Sequence, residues 1–236
     1  MARVIAGEAG GRRLAVPDGR DTRPTSDRAR EGLFATVASI VGPLAGTRVL
    51  DLYAGSGAVG LEALSRGAEH VLLVEHGARA ARVIRANIDA IGLPGAAVIA
   101  DRVERVLARG PTPAARQTSP SQTSPGQTSP SQAGPSQTSP GQAGPSPGGR
   151  SQDGPSGARY DVVFADPPYA MADADVSRIL SLLADRPWLA PGALVIVERA
   201  TRSGPLRWPD GFVPDRARKY GEATLWYGLG PGTQAQ

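Results

Sequence analysis

The chain has 236 residues, 40% hydrophobic and 20% charged, with a formal net charge of +4; this suits one sizeable domain or two small ones. It has no cysteine and two histidines, which excludes disulfides, thiolate metal sites, iron–sulfur clusters and a cysteine nucleophile, and argues against a metal. No apolar run reaches about 18 residues and the N-terminus lacks an apolar core, so a soluble cytoplasmic protein is expected.

The cations are almost all arginine, Lys219 being the single lysine. Arginine suits phosphate contacts and base stacking, although GC-rich coding would give the same excess. Residues 3–16 are predicted to form two short strands around Gly10-Gly11, with Arg12 and Arg13 beside the turn. In Thr22-Arg23-Pro24-Thr25-Ser26-Asp27-Arg28-Ala29-Arg30-Glu31, Thr25 or Ser26 can cap a helix. Its apolar stripe is Ala29, Leu33, Phe34, Val37 and Val41. Arg23, Arg28 and Arg30 crowd the first turn, where the helix dipole disfavours cations. Either an anion binds there, or Asp27 and Glu31 neutralise a solvated face.

A strand over Arg48–Tyr53 enters Ala54-Gly55-Ser56-Gly57-Ala58-Val59-Gly60 and then a helix. Such glycines let the backbone approach a ligand closely at a helix N-terminus. The second strand, Val71–Val74, ends in Glu75, and the helix after it carries Ala80, Ile84, Ile88 and Ile91 on one face. A third strand, Ala96–Ala100, ends in Asp101, with a helix over Arg102–Arg109.

From Gln117 to Ser146 a pentapeptide of the form Gln-Thr-Ser-Pro-Ser or Gln-Ala-Gly-Pro-Ser repeats six times. Residues 111–158 hold almost no large apolar side chain and are expected to be a disordered insertion. It joins a helix to the next strand, so it leaves from the amino edge of the sheet, away from the expected site.

The next apolar run, Val162-Val163-Phe164-Ala165, stops at Asp166-Pro167-Pro168-Tyr169. Proline cannot donate to a ladder and pushes its predecessor out of the helical region. The strand therefore ends near Asp166, leaving a carboxylate, a rigid elbow and an aromatic ring at the carboxyl edge, where open α/β sheets bind ligands. A stiff loop with Tyr169 as a packing residue is the plain alternative. Asp173 can cap a helix bearing Val176, Ile179, Leu180 and Leu183, and Pro191-Gly192 leads into the strand Ala193–Glu198. Phe212–Lys219 and Glu222–Tyr227 suit a closing hairpin around Tyr220-Gly221. The alternation describes a mostly parallel, three-layer α/β sheet.

Gly55-Ser56-Gly57-Ala58-Val59-Gly60, with Glu75 about 20 residues on, also fits the dinucleotide fingerprint. The loop alone does not choose between a nicotinamide cofactor and S-adenosylmethionine. Asp51 would repel a pyrophosphate but could meet the ammonium of a methionine moiety. Asp-Pro-Pro-Tyr has no evident role in hydride transfer, so methyl transfer is preferred.

Val163-Phe164-Ala165-Asp166-Pro167-Pro168-Tyr169 resembles the [DN]-P-P-[FYW] motif of amino methyltransferases acting on nucleobase nitrogens. Asp51-Leu52-Tyr53-Ala54-Gly55-Ser56-Gly57, Gly60-Leu61-Glu62-Ala63-Leu64-Ser65-Arg66-Gly67-Ala68 and the Thr22–Glu31 segment extend the likeness. Together they are similar to the bacterial small-subunit rRNA guanine-N2 methyltransferases of the RsmD type. That resemblance implies a class I S-adenosylmethionine-dependent methyltransferase fold, Rossmann-like, with a C-terminal antiparallel hairpin. Residues 1–45 would be an RNA-contacting hairpin-and-helix extension, and 46–236 the methyltransferase domain, interrupted by 111–158.

The implied substrate is the exocyclic N2 of a guanine in 16S rRNA, position 966, within the assembling or assembled small subunit. The implied catalytic residues are Asp166, Pro167 and Tyr169. For the cofactor they are Asp51, Gly55, Ser56 and Gly57 at the methionine end, Glu75 at the ribose, and Asp101 either at the adenine or as a helix N-cap. Arg12, Arg13, Arg23, Arg28, Arg30 and Lys219 would contact RNA. Adenine N6 methylation of DNA or RNA, and a non-catalytic rRNA-binding assembly factor, are the rival readings. Deleting 111–158 should preserve turnover, and a folded deletion variant with a large loss of activity would refute this.

Overall fold

The computed structural model describes residues 2–17, 27–111 and 159–232. Arg23, both cap candidates and residues 112–158 of the insertion lie outside the described residues. A short antiparallel pair, β1 (Ala2–Arg3) and β2 (Arg13–Leu14), opens the chain. Then follow α1 (Asp27–Val41), β3 (Arg48–Leu52), α2 (Ala58–Ser65), β4 (His70–Val74), α3 (Ala78–Ile91), β5 (Ala96–Ile99) and α4 (Val103–Arg109). β6 (Tyr160–Ala165), α5 (Asp173–Asp185), β7 (Leu189–Ala200), β8 (Val213–Tyr220) and β9 (Ala223–Leu229) complete it.

Seven strands form one sheet in the order β5-β4-β3-β6-β7-β9-β8. β3 to β7 are mutually parallel, and β9 runs against both β7 and β8. Helices cover both faces, so the central strands are continuous apolar runs. Leu50, Leu52, Val163, Ala165, Val195 and Val197 pack with residues of α4 and α5 on one side. Val49, Val162, Phe164, Leu194 and Ile196 pack with α1 and α2 on the other. No helix of the described residues is long and apolar enough to cross a membrane.

Four local expectations shift. On α3 Ala81, rather than Ala80, is buried with Ile84 and Ile91. Asp173 lies inside α5, after the N-cap residue Ala172, because its carboxylate pairs with Arg199 instead of capping. β7 starts at Leu189 and passes through Pro191-Gly192. A register shift between Tyr160↔Leu189 and Val162↔Leu194 leaves those two residues exposed on a bulge. The closing hairpin turns at Gly221-Glu222, with Gly221 at φ 63°.

The N-terminal segment is bolted to α2 and α3 through buried side chains. Glu62 is 0% exposed, and its carboxylate accepts the Ile5 amide (2.6 Å), the Ala6 amide (3.0 Å) and Arg66 Nε (2.7 Å). Gly7, at φ +83°, passes so close that an added Cβ would lie 1.8 Å from the Ser65 carbonyl oxygen. Asn87 of α3 accepts the Ala15 amide (2.8 Å) and donates to the Ala15 and Ser56 carbonyls (3.0 and 2.9 Å). It therefore touches the N-terminal segment and the glycine loop at once. At the amino edge of the sheet, Trp188 is 1% exposed. Its indole N–H donates to the Leu107 carbonyl (3.0 Å), and its own carbonyl accepts the Tyr160 amide (2.8 Å).

Glu62→Ala strands two backbone amides, each worth about 1–3 kcal/mol when left buried and unpaired. The urea midpoint should fall by about 3 kcal/mol equivalent, with hydrogen exchange accelerating at Ile5 and Ala6. An unchanged midpoint would contradict this account.

Candidate active site

β3 and β6 are neighbours, with Leu52 opposite Ala165, and the Asp166 amide donates to the Leu52 carbonyl at 3.3 Å. The segments that leave the two strands therefore emerge side by side at the carboxyl edge. From β3 comes the glycine loop, where Gly55 and Gly57 take φ 57° and 78°. Tyr53, just before it, sits at φ 61°. For a non-glycine residue that backbone state costs about 1–3 kcal/mol and persists only where the surroundings enforce it. The Tyr53 hydroxyl reaches Glu104 Oε1 (3.4 Å) and Met171 Sδ (3.9 Å), joining α4 to the chain beyond Tyr169.

Two acids shape this loop from below. Glu75 accepts the Gly55 amide on Oε2 (3.0 Å) and the Gly77 amide on Oε1 (2.6 Å). Asp51 is 1% exposed, and its Oδ2 accepts the Gly60 amide at 2.9 Å. Burial pushes the Asp51 carboxyl up to about 7, with the Gly60 amide opposing and Glu75 adding to the rise. Gly60 cannot carry a side chain here, since a Cβ would lie 2.8 Å from Val71 and 3.1 Å from Asp51 Oδ2. His76 is exposed, its Nδ1 3.4 Å from Glu75 Oε1.

Beside the glycine loop, Asp166 is half-buried at the tip of β6. Burial, then Glu198 and Asp51, hold its carboxyl well above the ordinary carboxylate range. Pro167 is buried and Pro168 exposed. The Pro168 carbonyl accepts the Met171 amide (2.8 Å), whereas no backbone N–H of the described residues donates to the Pro167 carbonyl. The Tyr169 hydroxyl donates to Glu198 Oε1 at 3.1 Å. The next residue, Arg199, is buried and donates from Nη2 to the Met171 carbonyl and to Asp173 Oδ1, both at 2.8 Å. Glu198 thus holds Tyr169 at the end of the Asp-Pro-Pro-Tyr turn, and Arg199 holds the chain that follows it.

Sequence reasoning named neither of this pair as functional. The signal was there: Glu198 closes an apolar run as Glu75 and Asp166 close theirs. Among the described residues, no cluster of three or more His, Asp or Glu could hold a metal ion.

The outlying candidates divide. Asp101 follows β5, but Arg102 occupies the N-cap of α4. The Asp101 carboxylate instead accepts the Arg102 amide (2.8 Å) and pairs with Arg109 (2.8 Å) and Arg105 (3.7 Å). The Arg102 amide first, then Arg109 and Arg105, keep that carboxyl below its usual value. Arg12 donates from Nη1 to the Ala90 and Ile91 carbonyls (2.9 and 2.8 Å), closing the C-terminus of α3.

Arg30 requires a correction. It is 0% exposed, and its Nη2 donates to the Arg3 carbonyl (2.7 Å) and Asp27 Oδ1 (2.8 Å). It ties α1 to β1 and presents nothing to an RNA, because its guanidinium sits on the apolar stripe's side of the helix. Arg13, Arg28 and Lys219 are exposed.

This geometry has known counterparts. The family model described as Conserved hypothetical protein 95 matches residues 2–116 and 150–228, skipping the repeats. Ribosomal RNA small subunit methyltransferase D of Escherichia coli (strain K12) is 29% identical over 210 residues, covering 87% of this chain and 80% of that protein. The protein of the same name from Haemophilus influenzae is 28% identical, covering 89% and 84%. The solved structure of yhhF from Escherichia coli superposes with a TM-score of 0.70 at 26% identity, covering 98% of each chain. Matched on both sides of its insertion and sharing the class I methyltransferase fold, the chain belongs to the Conserved hypothetical protein 95, or RsmD, family.

Proposed function

We propose that this protein transfers a methyl group from S-adenosylmethionine to the exocyclic N2 of a guanine in small-subunit rRNA. The expected position is 966, in the cytoplasm, on the assembling or assembled subunit. The observation that carries the reading is the β3–β6 adjacency, which sets Asp166 and Pro167 beside the glycine loop. The names of the relatives, small-subunit rRNA methyltransferases, support the substrate class.

The residues suit a cationic cofactor. Asp51 is raised by burial first and then by Glu75, so the floor of the glycine loop favours a bound positive charge. S-adenosylmethionine supplies an electrophilic methyl group on a sulfonium and carries an ammonium as well. Asp51, Gly55, Ser56 and Gly57 would hold its methionine end. Glu75, each of whose oxygens keeps a second lone pair, would accept the ribose hydroxyls. Asp101 would meet the adenine amino group while sharing its charge with Arg109.

An exocyclic guanine amine is a weak nucleophile, because its lone pair is delocalised into the ring. Asp166 accepts one N–H and the Pro167 carbonyl the other, which localises the lone pair and aims it. The base must first leave its stack, at a cost of a few kcal/mol. The Tyr169 ring, anchored through its hydroxyl to Glu198, returns roughly 1–3 kcal/mol by stacking. Asp166 then takes the released proton. Residues 1–45 act as an RNA-contacting extension of the 46–236 catalytic domain, with Arg13, Arg23, Arg28 and Lys219 toward phosphate.

Asp166→Ala should abolish methylation of small-subunit rRNA while calorimetry shows near-normal S-adenosylmethionine affinity. Substantial turnover in that variant removes the assignment, and product mass on adenine rather than guanine N2 replaces the substrate. Asp166 works ionised, and its carboxyl is held high, so kcat/KM should rise with pH through that raised value. Glu198→Gln deletes a neighbouring negative charge and should move this acid limb to lower pH. A limb that stays put or moves up contradicts the coupling.

A further inference from the structure

The acids that suit the site to a cation also repel the polyanion that must deliver the base. The strand carrying that base therefore has to be held by cations outside the acidic cluster, within reach of it. β8 supplies them. It is the free edge of the sheet, exposed from Val213 to Lys219. It runs parallel to β6, so its C-terminal half lies at the carboxyl edge with Asp166.

Register then selects particular residues. Glu198 pairs with Leu225, and Leu225 pairs with Arg218; likewise Ile196, Tyr227 and Arg216 form the adjacent row. Cross-strand partners project from one face of a sheet. Arg216 and Arg218 thus lie on the face that holds Glu198, and the charges of both bear on Tyr227 in that layer. Arg218 is two strands from Glu198, roughly 10 Å, about one screening length at about 0.1 M salt. Arg216 is two residues back, roughly 7 Å along the strand, and is paired with Asp215 at a bulge. Arg218 makes no ion pair among the described residues. Lys219 falls in the row of Thr224 and Arg199, on the opposite face, so any phosphate it meets lies outside this rim.

We propose that Arg218, assisted by Arg216, forms a phosphate-binding rim on β8 that holds the RNA strand flanking the target nucleotide. This rests on the rRNA methyltransferase reading above. Charged edge strands also discourage sheet-to-sheet pairing, but that role is indifferent to face and row. Arg218 lies in the row of Glu198, and Arg216 in the next row on the same face.

The test uses the full chain and a small-subunit rRNA fragment, with binding titrated across salt concentrations. Arg216→Gln/Arg218→Gln should bind the fragment at least tenfold more weakly near 0.1 M salt. The slope of log K against log salt should flatten by roughly 0.7–0.9 per lost contact. KM for RNA should rise, S-adenosylmethionine affinity should be unchanged, and Arg218→Lys should restore most of the binding. A control of equal charge loss, Arg82→Gln/Arg85→Gln on exposed positions of α3, should leave the slope near wild type. If the β8 variant keeps the wild-type slope, or loses no more than the control, the rim is refuted while the methyltransferase reading stands. If the wild-type protein methylates neither the fragment nor small subunits that lack the modification, that reading fails and the rim falls with it.

Discussion

Carrying a carboxylate into a sheet edge is costly unless its charge or lone pairs are met, and this sheet gathers several at the ends of neighbouring strands. Asp51 on β3, Glu75 after β4, Asp166 after β6 and Glu198 on β7 gather within one carboxyl edge. Backbone amides offset part of the cost: Gly60 for Asp51, Gly55 and Gly77 for Glu75. Those amides are available only because the glycine loop folds back over the strand tips, and the loop keeps its left-handed turns because the acids hold it. Loop and acids are mutually dependent.

The N-terminal segment extends the dependence outward. Glu62 and Ser65 hold residues 5–9 to α2, and Asn87 holds Ala15 to α3 and to Ser56 of the glycine loop. Arg30 then draws α1 toward β1 through the Arg3 carbonyl. These ties are polar and buried, so they carry geometry as well as energy. The chain that leads toward the arginine-rich Thr22–Glu31 segment leaves from beside Ala15, which Asn87 links to the glycine loop.

Much of the sheet was legible in the sequence because parallel strands covered on both faces are unbroken apolar runs that end abruptly at acids, glycines or prolines. Asp51, the glycine loop, Glu75 and Asp166 were legible for the same reason, since each interrupts such a run. What the sequence hid depends on partners distant along the chain. Arg30 looked like a surface cation in a basic cluster until its 0% exposure and its bonds to Arg3 and Asp27 were seen. Asp173 looked like a helix cap, but the buried Arg199 outcompetes the backbone for it. Arg218 was not among the residues singled out from the sequence, because its position level with Glu198 depends on the register through Leu225.

Trp188 has a consequence for how this domain tolerates change. Its indole N–H and its carbonyl fasten the end of α4 and the start of β6, the two points between which the pentapeptide repeats are spliced. With the stem closed by those bonds, lengthening the intervening chain adds only a logarithmic loop-closure cost, about 0.6 kcal/mol per doubling. Repeat number can therefore drift by slippage or duplication with little penalty to the stability of the sheet.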